Sequence, residues 1–176
     1  MKAFAHPSNT IEPADLNAAV ESSITVSRNE WKYTARLVKE LDSSLPTVPC
    51  AVGAINQVIV NMIVNAAHAI AETKQAPSGG GDNLGLITIR TRATNDCVEI
   101  DVEDNGAGMS EATQRRMFDP FFTTKPVGKG TGQGLAIAHH NVVQNHQGQI
   151  KVRSAPGQGT CLTICLPLSR PEIAAA

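Results

Sequence analysis

Between residues 52 and 74, apolar side chains recur at Val58, Ile59, Met62, Ile63, Ala66, Ala69 and Ile70. Steps of three and four place them on one stripe of a helix, so this stretch is predicted as the longest helix of the chain. It runs out into Ala76-Pro77-Ser78-Gly79-Gly80-Gly81-Asp82-Asn83, whose breakers predict a flexible surface loop. Residues 97–103, Cys-Val-Glu-Ile-Asp-Val-Glu, alternate instead, as a strand does, with Val98, Ile100 and Val102 facing one way. Further strands are predicted over 35–41, 86–91, 149–153 and 160–166. Helices are predicted over 13–31, opened by Pro13 in its first turn, over 111–117 and over 132–145, the last stopped by Gly148. Leu-Pro-Thr-Val-Pro at 45–49 reads as a loop.

This order of elements predicts an α+β two-layer sandwich, a mixed sheet of about five strands with about three helices on one face. Residues 1–12 are polar and aperiodic and read as a lead-in. Residues 13–170 read as one domain and 171–176 as a tail.

With 176 residues the chain is long enough for one domain with a core of its own. Fifteen basic and 16 acidic residues leave a net charge of −1. A nucleic-acid surface needs a basic excess, so that class is set aside. No apolar run reaches the roughly 18 residues of a membrane span, and the N-terminus lacks a signal-peptide core. A cytoplasmic domain with no direct membrane contact is expected, whether or not a parent protein is membrane-anchored. The four cysteines, Cys50, Cys97, Cys161 and Cys165, form no CxxC pair and are expected as reduced thiols.

Four stretches carry chemistry. Asp104 continues the inward parity of Val98, Ile100 and Val102, and a buried carboxylate is costly unless something satisfies it. The glycines of Asn105-Gly106-Ala107-Gly108-Met109 let backbone approach another group closely. An inward acceptor beside such a turn suits an amino-bearing heterocycle; a turn-capping aspartate explains the same residues. Asn61 and Asn65 lie four apart on the long helix, hence on one face, extended by His68 and Glu72. Their amide oxygens suit a hard cation such as Mg²⁺, and a solvated polar face is the alternative. Gly128-Lys129-Gly130-Thr131-Gly132-Gln133-Gly134-Leu135-Ala136 leads into a helix, a setting that favours phosphate, though it is not the GxxxxGK[ST] pattern. Met117-Phe118-Asp119-Pro120-Phe121-Phe122-Thr123-Thr124-Lys125 concentrates three of the four phenylalanines, as a core plug or as a ridge for docking a helix.

Taken together and in order, these stretches resemble the histidine kinase branch of the superfamily that includes gyrase, heat-shock chaperones and mismatch-repair ATPases. The matching segments are QVIVNMIVNAAHAI, DVEDNGAGM, MFDPFFTTK, GKGTGQGLAIA and GQGTCLTICLP. The resemblance implies a catalytic domain that binds ATP and Mg²⁺. Asn65 would hold Mg²⁺ with support from Asn61. Asp104 would take the adenine amino group, assisted through water by Gly108 and Thr160, with Gly106 also counted among the cofactor-binding residues. Lys125, Lys129, Gly130, Thr131, Gly132, Gly134 and Leu135 would form the ATP lid and phosphate cradle, with His68 near the phosphates. The hydrolysing relatives carry a glutamate where this chain has Asn61, which cannot accept a proton, so transfer to a protein nucleophile is expected over hydrolysis.

The implied partners are an acceptor-histidine helical hairpin of the parent protein, itself a homodimer, and a response regulator downstream. None of His6, His68, His139, His140 and His146 stands in the setting of such an acceptor, so the fragment is expected not to phosphorylate itself. A serine-directed kinase of the anti-sigma-factor type, or a nucleotide-gated interaction module, would share the fold.

Overall fold

The computed structural model describes residues 10–73, 84–128 and 130–169. Its centre is a five-stranded sheet in the order β2 (Ala35–Glu40), β4 (Gly85–Ala93), β5 (Cys97–Asp104), β7 (Thr160–Pro167) and β6 (Gln149–Ser154). Only the β2–β4 pair is parallel, which makes the sheet mixed, as predicted. Helix α3 (Val52–Thr73) lies across one face, with α1 (Leu16–Val26) packed on it and the short α2 (Arg28–Trp31) following. Beyond β5 come α4 (Glu111–Arg116) and α5 (Gly134–His139), the latter continued by a π-helical segment, His140–Asn145.

The core lies between α3 and the sheet. Ile55, Ile59, Ile63 and Ile70 of α3 meet Ile87, Ile89, Ile100, Ile164 and Leu166 of the strands, all fully buried. Each such side chain contributes on the order of 1.5–3 kcal/mol on leaving water. With 22 residues and a mean hydropathy of 1.4, α3 has the length and composition of a membrane span, yet it serves as the core helix. Ala67 rather than Ala69 completes its buried stripe, because Ala69 lies at the open cleft beside the sheet.

Four expectations are corrected. Pro13 does not open a helix. It sits in β1 (Glu12–Ala14), which pairs antiparallel with β3 (Val48–Cys50), opposite Pro49. A short two-stranded ribbon tolerates prolines that a central strand would not. Helix α1 starts at Leu16 because the Asp15 carboxylate accepts from the Asn17 and Ala18 N–H groups. The 45–49 loop accordingly gives way to β3 at its end. The helix predicted over 132–145 changes winding at His140, where the Asn141 carbonyl accepts from the ring of His146 at 2.6 Å. His146 Nε2 in turn accepts from the Ala51 N–H at 2.9 Å, pinning this helix end to the start of α3. Finally, Cys97 and Cys165 form a disulfide across β5 and β7, while Cys50 and Cys161 are free and buried. Adjacent antiparallel strands bring the two Cα atoms to 6.0 Å, a proximity that sequence spacing conceals.

The loop expected at 76–83, the lead-in at 1–9 with His6, the residue Lys129 and the tail at 171–176 lie outside the described residues.

Candidate functional site

A cleft of about 560 Å³ opens between α3, the ends of β5 and β7, α4 and the segment joining α4 to α5. Asp104 closes β5 at its floor and is 7% exposed, as the parity of Val98, Ile100 and Val102 requires. Its carboxylate accepts from the Gly106 N–H at 2.8 Å. Burial pushes its pKa up to about 6, opposed by the Gly106 and Thr160 backbone N–H groups, which favour the charged form. Asp104 is thus a buried acceptor on the floor of the cleft that also caps the Gly106 N–H.

Gly106 and Gly108 divide the labour of the following turn. Gly106 does not line the cleft; a Cβ there would meet the Ala69 carbonyl carbon at 2.5 Å, so its bareness lets the turn rest on α3. The Ala107 N–H donates to the Ala69 carbonyl across that contact. Gly108 lines the cleft with φ of +68°, and a Cβ would fall 1.9 Å from the Ala155 carbonyl oxygen. Thr160, the register partner of Asp104, shares a hydrogen bond with Ser154 at 2.8 Å and also lines the cleft.

The α3 wall presents Asn61, Asn65, His68 and Glu72 one after another, all on the cleft. Asn61 Nδ2 donates to the Gly134 carbonyl at 3.1 Å. Among the described residues nothing engages the Asn65 amide, which leaves its oxygen available to a ligand. His68 Nδ1 lies 2.6 Å from Lys125 Nζ. Burial, then the Lys125 charge, lower the pKa of His68; burial likewise lowers that of Lys125. Lys125, Gly130, Thr131, Gly132, Gly134 and Leu135 form the opposite wall, so the glycine-rich stretch faces the asparagines across the cleft. The Phe121 N–H donates to the Gly132 carbonyl, which closes the base of this wall.

The phenylalanine cluster is split. Phe118 stacks near His139 at 5.0 Å, and Phe122 lies under Arg116 at 4.5 Å. Phe121 is 71% exposed, so part is packed and part is ridge.

The profile of the histidine kinase-, DNA gyrase B- and HSP90-like ATPases matches residues 51–170. The chain belongs to this ATPase family. AtoS, a signal transduction histidine-protein kinase of Escherichia coli K12, is 34% identical over 160 residues, 90% of this chain and 24% of AtoS. The sensor histidine kinase ZraS of the same strain is 31% identical over 160 residues, 90% of this chain and 31% of ZraS. The chain therefore spans about a quarter to a third of these curated relatives. The catalytic domain of histidine kinase ThkA matches in fold with a TM-score of 0.74, covering 91% of this chain and 99% of that domain at 23% identity.

Seen as a member of this ATPase family, the chain has cleft residues that sequence reasoning missed. Met62, Val102, Met109, Met117 and Leu162 supply an apolar lining around Asp104. Val102 and Leu162 were legible from strand parity, since they precede Asp104 and follow Thr160 by two on inward positions. Met109 and Met117 flank α4 and reach the cleft only through the path of that loop, which no periodicity announces.

Proposed function

We propose that this chain is the ATP-binding catalytic domain of a two-component sensor histidine kinase, which passes the γ-phosphoryl group of ATP to a histidine on a separate helical hairpin. The decisive feature is Asp104, a carboxylate buried on the floor of an apolar-lined cleft. The 6-amino group of adenine is a donor that such an acceptor can take, whereas guanine carries a carbonyl oxygen at that position and would set acceptor against acceptor, so adenine is favoured. Gly108 and Thr160 border the same pocket.

The donor set on the cleft fits Mg²⁺ as well, because the Asn65 oxygen faces it unengaged among the described residues. Bound there, Mg²⁺ would neutralise phosphate charge, and Asn61 would support Asn65 from one turn back. Lys125, with Lys129, Gly130, Thr131, Gly132, Gly134 and Leu135, would cradle the phosphates, and positioning and charge would supply most of the catalysis. Asn61 spends its amide N–H on Gly134 and offers no base to activate water. Phosphoryl transfer to a protein side chain therefore fits better than hydrolysis. The acceptor hairpin, a homodimeric parent and a response regulator downstream follow from the same reading.

Mixing the domain with a separately expressed acceptor hairpin of its parent and labelled ATP tests this. An acid-labile, base-stable phosphoprotein is the expected product. Acid-stable label, or phosphate released only to water, would overturn it.

A further inference from the structure

His68 stands on α3 one turn beyond Asn65, and Lys125 lies on the segment between α4 and α5, 57 residues away. Their Nδ1 and Nζ atoms are 2.6 Å apart. A lysine ammonium has donors only, so Nδ1 must accept, and a neutral ring then carries its proton on Nε2. Other charges near the ring are Glu30 of α2 and Glu72 of α3, both of which act against this neutral form, whereas burial and Lys125 maintain it.

Lys125 is held from a second side. A Cβ at Gly130 would meet Thr123 Oγ1 at 2.9 Å and Lys125 Cδ at 3.0 Å, so the glycine stretch folds closely over the lysine stem. The Lys125 N–H donates to that same Thr123 hydroxyl at 3.1 Å. The ammonium is thereby fixed at the cleft wall between α3 and the crossing chain. Of its three N–H donors, His68 takes one and leaves two.

We propose that His68 is a positioning residue, whose Nδ1 holds the Lys125 ammonium in the cleft as a directed donor to the nucleotide phosphates and ties the 121–128 segment down onto α3. This rests on the nucleotide reading above. An unheld lysine would surrender the rotamer freedom of a four-carbon stem each time it met an anion. Holding it beforehand shifts that loss from binding to folding, which raises affinity without adding a contact to the ligand.

Calorimetric titration of the domain with Mg²⁺ and ATP, in a double-mutant cycle, tests it. His68→Ala should weaken ATP binding about tenfold, the worth of one charge-assisted hydrogen bond. His68→Asn, whose amide oxygen falls near the Nδ1 position, should recover most of that loss. In a Lys125→Ala background, His68→Ala should cost little more. Equal losses in both backgrounds, or no loss in either, would overturn the proposal. A long-range ¹⁵N spectrum of the wild-type ring needs no His68 variant: the Nε2–H tautomer is expected, and the Nδ1–H tautomer would refute it. A wild-type domain that binds no ATP would instead bring down the nucleotide reading, and this inference with it.

Discussion

The side-chain amide of Asn61 donates to the carbonyl oxygen of Gly134 at 3.1 Å and so joins the middle of α3 to the first residue of α5. The bond fixes where the glycine-rich wall of the cleft ends. Asn61→Ala should cost only about 1 kcal/mol of stability, the net worth of one partly exposed hydrogen bond. It should nevertheless raise amide hydrogen exchange across 134–139 and weaken nucleotide binding. Exchange unchanged from wild type would mean that the bond does not hold this wall.

Asp104 sets a pH dependence of definite sign. Its folded pKa, raised to about 6, exceeds the ordinary 3.8, so the native state holds the proton more tightly than the unfolded chain. Its contribution to stability is therefore fullest below pH ~4 and is lost as pH rises through about 6. The shift of about two pKa units corresponds to roughly 3 kcal/mol as an upper bound. Asp104→Asn should remove that penalty, giving a more stable apo-domain at pH 7.5 while losing adenine selectivity. Chemical denaturation at pH 5 and pH 7.5, beside ATP and GTP titrations, checks both halves. Equal ATP affinity in the variant would exclude Asp104 as the adenine acceptor.

Asn65→Asp separates metal binding from packing. The change is nearly isosteric on a half-exposed wall, so thermal unfolding should shift little. A carboxylate still ligates Mg²⁺ but adds a negative charge beside phosphate. At ~4 Å and an effective dielectric of ~20 this costs about 4 kcal/mol before the metal offsets it. Nucleotide affinity and phosphotransfer to a supplied hairpin should both fall strongly. Wild-type transfer by the folded variant would remove Asn65 from the site.

The Cys97–Cys165 disulfide closes a chain segment with a sequence separation of 68. Loop-closure entropy for that length predicts about 4 kcal/mol of stabilisation. Adding a reductant should lower the midpoint of thermal unfolding by several degrees. The Cys97→Ser variant should start at the lower value and ignore the reductant. Thiol counting that finds four free cysteines without reductant would disprove the bond.

Much of this protein was legible along its chain, because the physics that decides it is local. The 3.6-residue stripe of α3 and the two-residue alternation of β5 depend only on near neighbours, and they placed Asn61, Asn65 and Asp104 on their correct faces. Turn glycines likewise announced the backbone around Gly108. Glu99 and Asp101 mark the limit of that reasoning. Parity turns them away from the core, yet they are only 6% and 4% exposed, because Arg92 pairs with both and Lys151 with Glu99. Four strands, β4, β5, β7 and β6, had to assemble before those cations could cover them.

The same distinction holds at the site. Sequence alone determined which residue types the cleft would contain and on which element faces most of them lie. Only the tertiary structure decided that Lys125 reaches His68, that Asn61 reaches Gly134, that Pro13 pairs with Pro49, and that Cys97 meets Cys165. Each of these joins residues dozens of positions apart, and contact between such distant parts is set by how elements pack, which no short-range pattern of side chains encodes.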